Sequence, residues 1–407
     1  DGFKELLESE HWDIVPGGKY YVTRNNTSIL AFKVGTKLDN YSFNIVTSHT
    51  DSPTFKVKEN AEIEVKNKYT QLNTEGYGGM LCATWLDRPL SIAGRVLVSE
   101  GNSIVTKLLN IDRDLLIIPN VAIHMNRAAN DGFKYNLQVD MLPLLSAGDD
   151  RQKDFKQIIA DELGVKKEDI LGHDLYLYNR MAPSIWGANE EFISAGHLDD
   201  LQCGFASLKA LLAGYNDESI DIMACFDNEE VGSGTKQGAD STLLRDTLTR
   251  INSALGKTEE DYHRALASSF MLSSDNAHAV HPNHPEHTDA TNCTYMNEGV
   301  VVKSHAGQKY TSDGVSMAVV KALASGADVP LQYFANRSDK AGGSTLGNIA
   351  MAQASMNAVD IGLPQLAMHS SYETAGIKDT YYAISLMKAL FDSHIQETST
   401  HSLEIKR

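Results

Sequence analysis

Apolar runs in this chain are short: residues 115–118 and 222–226, among the longest, stop at four or five residues. A bilayer-crossing helix needs roughly 20 apolar residues, so no membrane span is expected and the core must be assembled from many brief buried segments. From about residue 190 onward these runs alternate with helix-like stretches. Residues 220–226 lead into a Gly-rich loop and helical patterns, and the runs 268–272, 315–323 and 330–334 follow. That alternation predicts an α/β fold with a mostly parallel or mixed sheet flanked by helices. Residues 41–48 form another short run ending in polar residues and suit the same sheet. Between them, residues 56–172 carry Val- and Ile-rich segments at 63–65, 96–98 and 115–118, separated by turn signals. These read as β-rich. The expected organisation is a discontinuous α/β domain, residues 1–55 and 173–407, interrupted by a β-rich insertion at 56–172. No period of 20 to 50 residues recurs, which excludes a repeat array.

With 407 residues, 42% of them hydrophobic, the chain can bury a large core. Its formal charge of −17, with no block of Lys and Arg, opposes binding to a phosphate backbone, so nucleic acid is not an expected partner. Cys82, Cys203, Cys225 and Cys293 are scattered without CxxC pairing. Reduced thiols and a cytoplasmic home are expected. The first residues, DGFKELLESEHW, show no basic stretch followed by an apolar one, so no secretion signal is expected there.

Five segments set acids or histidines directly after apolar runs, the position at which open α/β sheets bind ligands. In the first, Ser48-His49-Thr50-Asp51, residues two apart share a face of an extended chain, so Asp51 can lie beside the His49 ring and orient it as a metal ligand. The second, His197-Leu198-Asp199-Asp200, feeds a helical pattern, where acids also suit the helix macrodipole. In the third, Asp227-Asn228-Glu229-Glu230, adjacent side chains diverge, so one glutamate can bind a metal while its neighbour serves as general base. The fourth is Ser273-Ser274-Asp275-Asn276 and the fifth Met368-His369-Ser370-Ser371. Together they offer two histidines and three carboxylates, a hard nitrogen and oxygen set that suits zinc, manganese or cobalt. Two divalent ions carry +4; Asp199, Glu230, Asp275 and one bridging hydroxide carry −4, so such a site balances.

Other features have ordinary readings. The tract containing His281, His284 and His287 is interrupted by Pro282 and Pro285, matches no zinc-finger spacing and reads as a solvated loop near the site. The run GGSTLG at 342–347 lacks the GKT or GKS ending of a phosphate-binding loop and reads as a turn opening a helix. No GxSxG stands near a plausible triad and no cysteine sits in a nucleophile setting, which disfavours covalent catalysis.

Taken together, SHTDSP (48–53), HLDDL (197–201), DNEEVGS (227–233), SSDNAHAVHPNH (273–284) and MHSSYE (368–373), in this order, resemble the aspartyl aminopeptidase family of two-metal peptidases. WLDRPL (85–90) and IPNVAIHMNR (118–127) extend the resemblance into the insertion. It implies a zinc-dependent aminopeptidase that releases Asp or Glu from peptides with a free amino terminus. His49 and Asp275 would hold one metal, Glu230 and His369 the other, and Asp199 would bridge them. Asp51 would orient His49, and Glu229 would be the general base and acid. Lys303 matches a lysine that contacts the acidic substrate side chain. The resemblance further implies self-association into a dodecamer built from dimers through the insertion, with His124 reaching a neighbouring subunit's active site. Residues 307–310 read GQKY where many relatives carry NQRY, and HLDDL replaces the more usual RLDNL; both departures bear on selectivity rather than on metal binding.

The alternatives are a broader-specificity aminopeptidase, a two-metal deacylase or carboxypeptidase acting on another amide, and a structural or cargo shell without catalysis. Lys303 and His124 favour the aminopeptidase, and an intact Glu229 with a full ligand set argues against the shell.

Overall fold

The computed structural model describes residues 1–148 and 154–407; residues 149–153, within the span read as the insertion, lie outside the described residues. Nine strands form the main sheet, in the order Lys4–Glu5, Lys19–Arg24, Ser28–Val34, Ser219–Phe226, Ser42–His49, Phe270–Ser274, Asn357–Gly362, Val300–Ser304 and Leu331–Ala335. The four strands from Ser219–Phe226 to Asn357–Gly362 are parallel. Antiparallel pairings join Ser28–Val34 on one side and Val300–Ser304 on the other. The sheet is therefore mixed, with a parallel centre.

Every residue of Ser42–His49, Ser219–Phe226 and Phe270–Ser274 is buried, because helices cover both faces, and strands covered twice read as continuous rather than alternating apolar runs. One core joins Phe32, Phe43, Ile45, Ile222 and Phe226 to helices Leu243–Ala254 and Leu346–Gln353. The other joins Val46, Leu272, Val302 and Ile361 to helices Leu198–Ala213, Gly314–Gly326 and Asp379–Phe391. The result is an α/β/α sandwich. Residues 315–323 lie in a helix, and the GGSTLG run opens the helix Leu346–Gln353 with Thr345 at its N-cap position.

A second sheet of six strands runs Ser103–Asn110, Leu90–Glu100, Ile170–Asn179, Thr54–Val65, Tyr69–Tyr77 and Leu144–Ala147, over its own core around Phe55, Trp85, Ile92 and Leu175. Residues 115–118, which read as a strand, make only isolated bridges, Leu90 with Leu116, Leu86 with Ile118 and Ile117 with Leu144. Leu116 and Ile118 still enter the core, so hydrophobic burial rather than a ladder explains their composition. A third sheet of strands two to four residues long orders Ser184–Trp186, Phe192–Ala195, Glu373–Gly376, Pro364–Leu366 and Ala277–His278. Segments this short carry no readable period. Among the described residues no helix is long and apolar enough to cross a membrane.

Gly362 ends a central strand where a Cβ would stand 2.2 Å from the carbonyl oxygen of Asp275 and 2.9 Å from Cε of Lys303. Gly362→Ala is expected to lower stability by about 1–3 kcal/mol through overpacking, read as a lower urea midpoint. Gly314→Ala, where nothing stands within 4 Å of the added atom, should leave the midpoint unchanged or raise it.

Candidate metal centre

Parallel strands in register end together. Phe226 pairs with His49, so His49, the turn Glu229–Val231 and Asp275, which follows the strand Phe270–Ser274, arrive at one edge of the sheet. Asp199 comes from the start of helix Leu198–Ala213, where it is extended (φ −82°, ψ 110°) and joined to Asp200 by a cis peptide bond. His369 comes from the loop between Pro364–Leu366 and Glu373–Gly376. His197, Asn228 and His369 all take positive φ, near +61°, +61° and +67°. Non-glycine residues in that region cluster at sites where the surroundings over-determine the backbone.

His49 Nε2 lies 3.6 Å from Asp199 Oδ1, His369 Nε2 lies 3.6 Å from Asp199 Oδ2, and His369 Nε2 lies 3.4 Å from Glu230 Oε1. Asp199 Oδ1 and Glu230 Oε1 are buried with no hydrogen-bond partner among the described residues. Zinc bonded tetrahedrally at about 2.0–2.1 Å sets its nitrogen and oxygen ligands roughly 3.3–3.4 Å apart. The separations and the unpartnered oxygens thus fit divalent ions. Two of the groups able to hold one are His49 with Asp199 and Asp275, and Asp199 with Glu230 and His369, each with ligand atoms within 4.8 Å of one another. Asp199 belongs to both. His49, Glu229 and Glu230 form a further such group.

A surrounding shell fixes these side chains. His49 Nδ1 meets the carbonyl oxygen of Asp51 at 3.0 Å, and His369 Nδ1 meets that of Gly79 at 2.6 Å. As donors to carbonyls, both Nδ1 atoms leave Nε2 facing the carboxylates. The Asp51 carboxylate, 3.4 Å from His49 Nδ1, accepts the backbone N–H groups of Glu229 and Glu230 at 3.1 Å each. It therefore sets the glutamate turn as well as lying beside the histidine. Glu373 accepts the N–H groups of Asp199 (2.9 Å) and His369 (2.7 Å), tying two candidate ligands together.

Sequence reasoning assigned no role to Glu373, although it closes the MHSSYE motif. It also missed Tyr77, which donates to Asp51 Oδ2 and accepts from Asn228 Nδ2, both at 2.7 Å. Gly78 was missed too: at φ +73°, a Cβ there would come within 3.1 Å of the Glu230 Cβ. The glycines flanking Tyr77 were the available signal. Asp360, fully buried, accepts from Ser273 Oγ (2.8 Å), Thr345 Oγ1 (2.6 Å) and both N (2.5 Å) and Oγ1 (2.8 Å) of Thr311. It holds two walls of the site to the sheet.

The charges are crowded. Burial, then Asp199, pushes the Glu230 carboxyl up to about 9, and burial, then Asp275, pushes Glu229 up to about 7. Burial raises Asp275 in spite of Lys303 beside it. Burial opposes ionisation of Asp199 too, but His49 outweighs it and holds that carboxyl low. For His49 burial works downward, yet Asp199 and Asp51 keep the imidazole well above its usual value. A cavity of about 350 Å³ opens over the cluster, lined also by Lys303, Tyr310, Phe334 and Met368. The buried Lys303 Nζ donates to the carbonyl of Asn276 at 2.8 Å and lies 3.8 Å from Asp275 Oδ1.

His124 sits on an exposed loop and does not line this cavity. The tract of His281, His284 and His287 is exposed, its rings 5.3 and 5.4 Å apart between centroids; His284, Glu286 and His287 form a further group with ligand atoms within 4.8 Å of one another. All four cysteines are free.

A sandwich with paired histidine and carboxylate groups at the carboxyl edge of its sheet defines a metallohydrolase. The family model of aminopeptidase I zinc metalloproteases (M18) matches residues 1–391. The chain is 48% identical over 398 residues to a probable M18 family aminopeptidase 2 of Clostridium novyi, covering 96% of this chain and 92% of the relative. A chain of the Ape4 and Nbr1 complex superposes with a TM-score of 0.92 at 35% identity, over 96% of this chain and 80% of that one. The S. cerevisiae mApe1 dodecamer gives 0.81 at 28%, over 96% and 89%. The protein belongs to the M18 family of zinc aminopeptidases.

Two outcomes follow from this geometry. An ion entering the cluster must displace the protons held by Glu230, with its carboxyl near 9, and by the raised His49. Metal titration at pH 7 should therefore release protons, seen by calorimetry in buffers of different ionisation enthalpy, and affinity should rise with pH. Tyr77→Phe removes a donor to Asp51 and is expected to weaken metal affinity roughly 10- to 100-fold, measured by competition with a chromogenic chelator.

Proposed function

We propose that the protein removes a single residue, with a preference for Asp or Glu, from the free amino terminus of peptides. The observation that carries the preference is Lys303, a buried ammonium at the wall of the cavity beside the metal cluster. Burial opposes its charge, but Asp275 and Tyr310 outweigh burial and keep it protonated. A carboxylate entering the cavity finds that charge already desolvated, whereas a neutral side chain leaves it without a substrate partner, an asymmetry that discriminates strongly.

In this reading His49 and Asp275 would hold one ion, Glu230 and His369 the other, and Asp199 would serve both. Two zinc ions, with manganese or cobalt as alternatives, would when bound supply Lewis acidity toward the scissile carbonyl and lower the pKa of the attacking water. Glu229 takes a proton from that water and returns it to the leaving amine nitrogen. Its raised carboxyl suits both halves of the transfer at neutral pH. Asp51 keeps Glu229 facing the cavity by holding its backbone N–H.

The same reading makes the protein a cytoplasmic self-assembling enzyme, supported by its free cysteines and by its likeness to the S. cerevisiae mApe1 dodecamer. Residues 56–172 would provide the dimer contact, and the exposed His124 would complete the site of a neighbouring copy.

The test is hydrolysis of aspartyl, glutamyl and leucyl p-nitroanilides after chelation and re-addition of zinc, manganese or cobalt. Glu229→Gln should lower kcat by roughly 10²- to 10⁴-fold. Lys303→Met should lower kcat/KM for the aspartyl substrate on the order of 100-fold with little effect on the leucyl one. Equal loss on both substrates would remove Lys303 from specificity, and cleavage of amino-blocked peptides at equal rates would favour a deacylase.

A further inference from the structure

Beside the cavity over the metal cluster lies a second one of about 270 Å³. His278, Phe334 and Met368 line both, so the two adjoin. The remaining polar side chains of the second are His281, His287, Thr288, Asn336, Arg337, Lys340 and Gln365. In a chain with a formal charge of −17, this wall contains no Asp or Glu.

The wall is also short of acceptors. Asn336 Nδ2 and Gln365 Nε2 are buried without hydrogen-bond partners among the described residues. Gln365 Oε1 accepts from Asn276 Nδ2 at 2.9 Å, which fixes Nε2 as the unused donor. Arg337 is held in place by Asp339 at 2.8 Å and by the carbonyl oxygen of Glu286. Lys340 is exposed and has no ion-pair partner among the described residues.

We propose that this second cavity binds a carboxylate carried by the substrate downstream of the scissile bond, with Lys340 as its principal charge. The inference rests on the aminopeptidase reading. A substrate cleaved after its first residue leaves the metal cluster in two directions only, along the first side chain and along the rest of the peptide. Lys303 occupies the first, so an adjoining cavity rich in donors receives the second. Successive residues advance about 3.3–3.6 Å when extended, so a carboxylate held in the adjoining cavity belongs to a residue shortly beyond the cleaved bond. It is either the terminal carboxylate of a short peptide or an acidic side chain of a longer one.

The peptides Asp-Ala-Ala, Asp-Ala-Ala-amide and Asp-Ala-Glu-amide separate these sources. KM is measured for the zinc-loaded protein and for Lys340→Ala and Lys340→Glu. Dissociation constants are measured by calorimetry on the Glu229→Gln protein, with and without Lys340→Glu. A carboxylate-bearing peptide should bind about tenfold more tightly than the plain amide, a difference worth about 1.4 kcal/mol. The advantage should vanish in Lys340→Ala and invert in Lys340→Glu. A gain for Asp-Ala-Ala alone assigns the terminal carboxylate, and a gain for Asp-Ala-Glu-amide alone assigns the side chain. Equal values for all three peptides, or an advantage that survives Lys340→Glu, would overturn the proposal. If no peptide is cleaved, the aminopeptidase reading fails, and the calorimetric comparison still decides for or against the carboxylate site.

Discussion

Asp199, Glu230 and Asp275 bring three carboxylates into one desolvated space, with Glu229 on its rim and Asp51, Asp200 and Glu373 close behind. Like charges taken out of water repel strongly and each forfeits its hydration. The cations nearby are His49 and Lys303. Left to themselves the acids respond by retaining protons, which is why Glu230 and Asp275 are raised. A divalent ion bound there would resolve the conflict by replacing those protons with fixed charge. Much of the local backbone is arranged to keep the carboxylates together despite this repulsion, through the N–H groups given to Asp51 and Glu373 and the positive-φ residues that turn His369 and the glutamates inward.

That arrangement draws on all three larger sheets. The main sheet delivers His49, the glutamates and Asp275 from the ends of its parallel strands. The small five-stranded sheet flanks the His369 loop and ends at His278. The six-stranded sheet, built over a separate core, contributes Tyr77, and Gly79 follows just beyond it. The end of its strand Tyr69–Tyr77 borders the candidate metal centre, so relative movement of the two large sheets would pull on His369 and Asp51 directly. Outer-shell contacts of this kind govern ligand orientation and basicity.

The fold class was legible because short runs buried on both faces have only one comfortable home, a parallel sheet between helices. The same reasoning over-read residues 115–118, where two buried side chains sufficed to make a run look like a strand. It was blind to strands of two to four residues, which show no period, and to the C-terminal hairpin His394–Ser399 with Ser402–Lys406, although Leu403 and Ile405 alternate with polar neighbours there. Candidate ligands stood out because acids and histidines followed apolar runs. Tyr77, Gly79 and Asp360 did not, because each acts through a contact distant in sequence.

Local pattern, then, determined the alternation of strands and helices, the five polar segments at strand ends and the surplus of carboxylates that calls for cations, since each depends on residues close together in the chain. Only the tertiary structure decided which atoms meet: that Asp199 stands within 3.6 Å of both histidines, that Asp51 binds the glutamate turn, and that a second, acid-free cavity adjoins the first. Those facts follow from strand register and loop path over long sequence separations, which periodicity does not encode.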